Sequence, residues 1–117
     1  MIQVGPATRV FLAAGPTDMR KGFNGLTDLV RHRLVADPLN GHLYLFCNKR
    51  KNRVKILCFD GSGLWICTKK LQQGCFSWPD LDGTDASVSL KPEELSMLLA
   101  GIELERTRMK NWWRKSA

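Results

Sequence analysis

The sequence predicts an α+β fold: a small, mainly antiparallel sheet of about four strands in a hairpin meander, with one long helix packed on one face and a shorter C-terminal helix. Three observations predict it. Met19, Phe23, Leu26, Val30 and Leu34 recur at helical spacing. Apolar runs at 43 to 47, 53 to 59 and 64 to 70 follow one another with turn chemistry between them. Leu95, Leu98, Leu99 and Ile102 form a second helical stripe behind Pro92.

Residues 9 to 15, "RVFLAAG", form a first short strand, apolar enough for the centre of a sheet, and it stops at Gly15-Pro16. The long helix is expected over 18 to 34, with Thr17 as N-cap and Asp18 in the first turn, where a negative charge suits the free amides. Gly22 and Gly25 within it each cost up to about 1 kcal/mol relative to alanine, so a close neighbour is expected on that face. "ADPLNGH" (36 to 42) breaks the helix.

"DGSG" (60 to 63) reads as a tight hairpin with Gly61-Ser62 as its loop, which sets Cys58 opposite Trp65 and Ile56 opposite Cys67. In the preceding hairpin, pairing Cys47 with Val54 keeps apolar side chains together, whereas a one-residue slip sets Cys47 against Lys55. These registers gather Leu43, Leu45, Cys47, Val54, Ile56, Cys58, Trp65 and Cys67 on one uniformly apolar face, which is expected to receive the helix. The other face carries Tyr44, Phe46, Lys55, Leu57, Phe59, Leu64, Ile66 and Thr68. It is too apolar for water, and the C-terminal segment or a second copy of the chain is expected to cover it. "CFSWP" (75 to 79) closes the run, "DLDGTDA" (80 to 86) is an acidic loop, "SVSL" (87 to 90) adds a short strand, and a second helix follows over about 92 to 101 with Glu93 and Glu94 in its first turn.

A chain of 117 residues, 44% apolar and 25% charged, has the composition of a folded protein with one domain over 1–117. No apolar run reaches the roughly 18 to 20 residues that span a bilayer, and "MIQVGPATRV" lacks the pattern of a signal peptide, so a cytoplasmic protein with no membrane partner is expected. The formal charge of +7 points to nucleic acid, an anionic membrane or an acidic partner. Cys47, Cys58, Cys67 and Cys75 have no CxxC spacing, and the registers keep them from converging on one ion. They read as small buried hydrophobes, with no metal and no cofactor expected.

The densest charge is "CNKRKNRVK" (47 to 55), where Lys49, Arg50, Lys51 and Arg53 crowd a hairpin tip with Lys55 nearby. A two-stranded ribbon with a basic tip has dimensions suited to a nucleic-acid backbone or groove. Polar turns and edge lysines are also ordinary devices of solubility. Arg20, Lys21, Lys69 and Lys70 are candidate supporting contacts. Near the C-terminus Trp112 and Trp113 lie among Arg106, Arg108, Lys110, Arg114 and Lys115, a mixture that suits base stacking or docking on the body of the protein. His32 and His42 are isolated, Asp80, Asp82 and Asp85 lie in the acidic loop, and no nucleophile-base spacing is visible, so no catalytic residue is expected.

"GPTDMRKGFNGL" (15 to 26), "DPLNGHLYLFCNKRKNRVKILCFDGSGLWICTKKLQQGCFSWP" (37 to 79) and "SLKPEELSMLLAGIE" (89 to 103) resemble the TnpB-type accessory protein, the second reading frame, of the insertion-sequence sixty-six family of bacterial transposable elements. The resemblance covers about 8 to 103. It implies a role in transposition beside a DDE transposase and a second accessory protein, TnpA. The family's basic tip matches Lys49, Arg50, Lys51 and Arg53, and its helix-start motif matches Thr17, Asp18, Met19, Arg20, Lys21 and Gly22. Three features depart from it: Cys75 stands where the family often has Arg, Lys91 where it usually has Thr, and the tail 104–117 follows the pattern poorly.

Two functions follow. In the first, a non-catalytic transposition accessory protein binds DNA, with weak sequence preference, through the 49 to 53 tip. In the second, a protein-interaction adaptor uses Tyr44, Phe46, Phe59, Trp112 and Trp113 to bind the transposase, TnpA or another copy of itself, without touching DNA. A small nuclease is a third class, for which no carboxylate or histidine cluster speaks.

Overall fold

Two tight turns build one half of a single sheet. In the computed structural model, which describes residues 5–80, 85–101 and 114–115, β2 (Leu43–Cys47), β3 (Arg53–Phe59) and β4 (Leu64–Lys70) form an antiparallel meander. Cys47 faces Val54, Cys58 faces Trp65 and Ile56 faces Cys67, the registers that apolar matching selects. The other half is built by β1 (Val10–Pro16), β5 (Ser87–Leu90) and the two-residue β6 (Arg114–Lys115), giving the order β4-β3-β2-β1-β5-β6.

The fold class departs from the expected meander of about four strands. The sheet is mixed and larger, because β1 runs parallel to β2, Val10 beside Leu43 and Leu12 beside Leu45. Parallel neighbours need a crossover, and the chain from 17 to 42 supplies one through α1 (Phe23–His32). That helix has 10 residues and α2 (Pro92–Leu99) has 8, so the picture of one long and one shorter helix is also corrected.

The start of α1 differs from expectation for a local reason. Asp18 folds the chain into a turn, its Oδ1 accepting from the Arg20 N–H at 2.9 Å and its carbonyl from the Lys21 N–H at 3.2 Å. A side chain that bonds its own backbone competes with the helix. The cap therefore falls at Gly22, with no side-chain hydrogen bond, rather than at Thr17. Gly25 does admit a close neighbour: a Cβ there would stand 3.0 Å from the Cβ of Lys21, whereas one at Gly22 would meet nothing within 4 Å. In α2, Glu94 reaches back to accept from the Lys91 N–H at 3.0 Å, which partly compensates a cap residue whose ammonium has nothing to accept with.

The helix also takes the face opposite to the one expected. Leu26 and Val30 of α1 pack on Ala13, Tyr44, Phe46 and Leu57, with Leu64 and Ile66 at the margin. Leu43, Leu45, Cys47, Val54, Ile56 and Cys58 lie instead beneath Phe76, Trp78, Leu95 and Leu98. Both faces are apolar, so hydropathy does not say which one a helix covers. The β1-α1-β2 path and the position of α2 beyond β5 decide it. Trp78 Nε1 donates to the Ala13 carbonyl at 2.9 Å, fastening the 75 to 79 segment across the sheet with its one polar atom satisfied. Truncating the fully buried Leu26 to Ala is expected to cost about 2–5 kcal/mol.

Candidate nucleic-acid interface

Parallel pairing places the carboxyl ends of β1 and β2 side by side. Gly15, at φ +77, lets β1 bulge as it leaves the sheet. Its N–H donates to the Pro79 carbonyl at 3.0 Å, and the Thr17 N–H to the Cys47 carbonyl at 2.7 Å. The loop after β1 is thereby tied to the base of the basic tip after β2. The direction of β4 follows that of β2, so Lys70 ends at the same edge.

The tip is a built turn. Asn48 Oδ1 accepts from the N–H groups of Asn52 and Arg53, both at 3.0 Å, and its Nδ2 donates to Asn52 Oδ1 at 2.7 Å. Lys51 closes it in the left-handed region at φ +60, its N–H donating to the Asn48 carbonyl. The segment beneath braces it: the Phe76 N–H donates to the Lys51 carbonyl at 2.7 Å and the Leu71 N–H to that of Asn52 at 2.8 Å.

Between tip and loop lies a cleft of about 410 Å³. Thr17, Asp18 and Met19 line one side of it, and Asn48, Lys49, Arg50, Asn52, Arg53 and Lys70 the other. Of the cations expected to bind, Lys49, Arg50, Arg53 and Lys70 are thus brought together, all exposed. Lys51 turns aside to pair with Asp80 at 3.1 Å. Lys55 is half-buried and donates from Nζ to the Lys21 carbonyl at 2.8 Å, so it positions the loop. Lys69 stands on the opposite face of β4 from Lys70.

Arg20 is spent on Asp18. Its Nε donates to both carboxylate oxygens at 3.1 Å and its Nη2 to Oδ2 at 2.8 Å. That fork, then the Arg20 N–H, holds the Asp18 carboxyl down at about 2. The acid on the cleft wall is neutralised by its own neighbour. Thr17 is buried, and its Oγ1 has no hydrogen-bond partner. Sequence reasoning singled out Thr17 and Asp18 as helix-start residues and missed their place beside the tip. The strand-helix-strand order from 9 to 47 was the signal available, since it is the order of a parallel crossover.

Other candidates fall elsewhere. Tyr44 and Phe46, expected at a protein interface, are buried beneath α1, and Phe59 is half-buried. Trp112 and Trp113 lie outside the described residues. Cys47 and Cys58 are buried as expected, and burial pushes the Cys47 thiol up to about 12, but Cys67 and Cys75 are exposed. His42 Nδ1 accepts from the Arg9 N–H at 3.0 Å, and burial lowers its pKa. Among the described residues no three His, Cys, Asp or Glu side chains gather as ion ligands, and no helix is long and apolar enough to cross a membrane.

Residues 8–109 match the family described as IS66 Orf2 like protein. The chain is 38% identical over 109 residues to the uncharacterized protein y4jC of Sinorhizobium fredii, with 92% of each chain covered. It is 38% identical over 103 residues to y4hO of the same organism, with 88% of each covered. No solved structure matches significantly.

Proposed function

From the premise that the chain belongs to the IS66 Orf2-like family, accessory proteins of insertion sequences, we propose that it binds the DNA of its element directly, through the basic edge of the sheet, and does no chemistry on it. The observation that carries this reading is one of charge. Lys49, Arg50, Arg53 and Lys70 line a single cleft, and none of them is ion-paired among the described residues. Four unpaired cations on braced backbone repel one another, and a phosphate backbone offsets that repulsion while releasing its own counterions. Family membership supports action beside the element's transposase and TnpA-type protein. The adaptor reading loses Tyr44 and Phe46 as contacts, because α1 covers the face that carries them.

The test is a salt series with a labelled element-end duplex and a scrambled duplex. Binding through four phosphate contacts is expected to give a log–log salt slope of about −3.6, at about 0.9 per contact. Equal affinities for the two duplexes mark backbone recognition. A slope near zero, or no binding at low salt, would remove the reading.

A further inference from the structure

We infer that the cleft between the Thr17–Met19 loop and the basic tip is a dedicated seat for a stretch of the DNA phosphate backbone, and that the basic residues of this edge outside it only add to the field around it. The inference rests on the DNA-binding reading and narrows it to a place. Three independent features of the cleft favour an anion. Cations line it from two separate strands' ends, Arg50 and Arg53 from the tip and Lys70 from β4, so one ligand in the cleft meets charge from both. The one carboxylate on its wall, Asp18, has both oxygens taken by Arg20 and does not repel a ligand. Thr17 sits on that wall with a buried hydroxyl that makes no hydrogen bond, although native proteins satisfy nearly all such groups. Turned about its Cα–Cβ bond toward the cleft, that hydroxyl can donate to a phosphate oxygen, an acceptor of the right chemistry.

The shape and lining also say which part of a nucleic acid enters. No aromatic ring lines the cleft among the described residues, and Met19 is its one apolar side chain. Bases have nothing to stack on there, whereas a volume of about 410 Å³ takes a phosphodiester with its adjoining sugars. The seat therefore reads backbone and not sequence.

The experiment uses the full chain with two probes: inorganic phosphate, followed by amide chemical shifts, and the labelled duplex, followed through its salt series. Four variants accompany the wild type. Lys70→Gln removes a cleft cation, Lys69→Gln removes its neighbour on the other face, and Arg31→Gln removes an equal charge from the exposed end of α1, at the far edge. Thr17→Val removes the lone hydroxyl at nearly constant volume. Phosphate is expected to shift the amides of Thr17, Asn48 and Arg53 above all others. Lys70→Gln is expected to flatten the duplex salt slope by about one unit, Lys69→Gln by clearly less and Arg31→Gln hardly at all. Thr17→Val is expected to weaken phosphate binding about tenfold, the scale of a lost hydrogen bond to a charged group, while melting no lower than the wild type. Duplex binding that Lys70→Gln and Lys69→Gln weaken equally, with phosphate shifts spread along the edge, would overturn the seat and leave DNA binding standing. Phosphate held in the cleft without any duplex binding would overturn DNA as its source. No binding of either probe would remove both.

Discussion

The sheet has two hairpin tips, at 48–52 and 60–63, which a single kind of side chain organises and which end with opposite amounts of free charge. At 60–63 Asp60 does the work: its Oδ1 accepts from Ser62 N–H, Gly63 N–H and Ser62 Oγ, and its Oδ2 from Trp65 Nε1 at 2.6 Å. Both oxygens accept inside the turn, and those donors, Trp65 first, hold the Asp60 carboxyl well below the usual carboxylate range. At 48–52 the same task falls to Asn48, a neutral amide. A neutral organiser leaves the charges of Lys49, Arg50 and Arg53 uncompensated. One tip therefore occupies its organising charge with its own donors, and the other leaves Lys49, Arg50 and Arg53 without an ion pair among the described residues.

The contrast can be broken most severely by stripping the basic tip. Changing Lys49, Arg50, Lys51 and Arg53 together to Gln is expected to flatten the salt slope by about three units and abolish duplex binding at moderate salt, with the melting curve close to that of the wild type. Next in size, Asn48→Asp preserves the acceptor for the Asn52 and Arg53 amides, obliges the Asn52 amide to turn its NH2 toward the new carboxylate, and adds a negative charge beneath the cations. About a tenfold loss of affinity is expected from the duplex titration, with the turn's amide protection intact.

Asp60→Asn is the reciprocal change and should leave DNA binding alone. It is expected to lower the melting temperature at pH 7 and to shift Trp65 fluorescence, since a charge-assisted bond is lost. The sign with pH follows from the depressed carboxyl. Its stabilisation is full above the unfolded value of about 3.9 and is lost as pH falls toward the folded one, so the two proteins' melting temperatures converge below about pH 4. Asp18 behaves alike: acid approaching pH 2 protonates it and frees Arg20. The smallest change is Lys51→Gln, which breaks an exposed pair with Asp80. A stability loss within about 1 kcal/mol is expected by denaturant titration.

Much of the meander was legible because its signals are local. Turn residues fix DGSG, and one slip of register would set Cys47 against Lys55, so the pairings of 43–70 follow from the local residue pattern. The parallel β1–β2 pair was missed: nothing within "RVFLAAG" states its neighbour, and only the strand-helix-strand order of 9 to 47 pointed to it. The position of the helix was illegible for a related reason: Tyr44 and Phe46 are as apolar as Leu43 and Leu45. The helix start failed at Asp18, whose side chain serves a first helical turn and an Asx turn equally well. The cleft inherits all three difficulties. Its basic half was visible as "NKRKNR", while its other wall is next to it only because two distant strands run in the same direction.

That parallel pair also orders events in time. The hairpins of β2, β3 and β4 close short loops, whereas β1 reaches β2 across residues 17 to 42 and β5 across a longer span still. Long closures carry the greater entropic cost and form slowly. During refolding, pulsed amide exchange is expected to protect Asn52 and Arg53, held by Asn48, before Thr17, held by the Cys47 carbonyl. A half-folded chain thus carries its cations on a finished tip with no opposing wall, and that wall arrives only when the parallel pair closes.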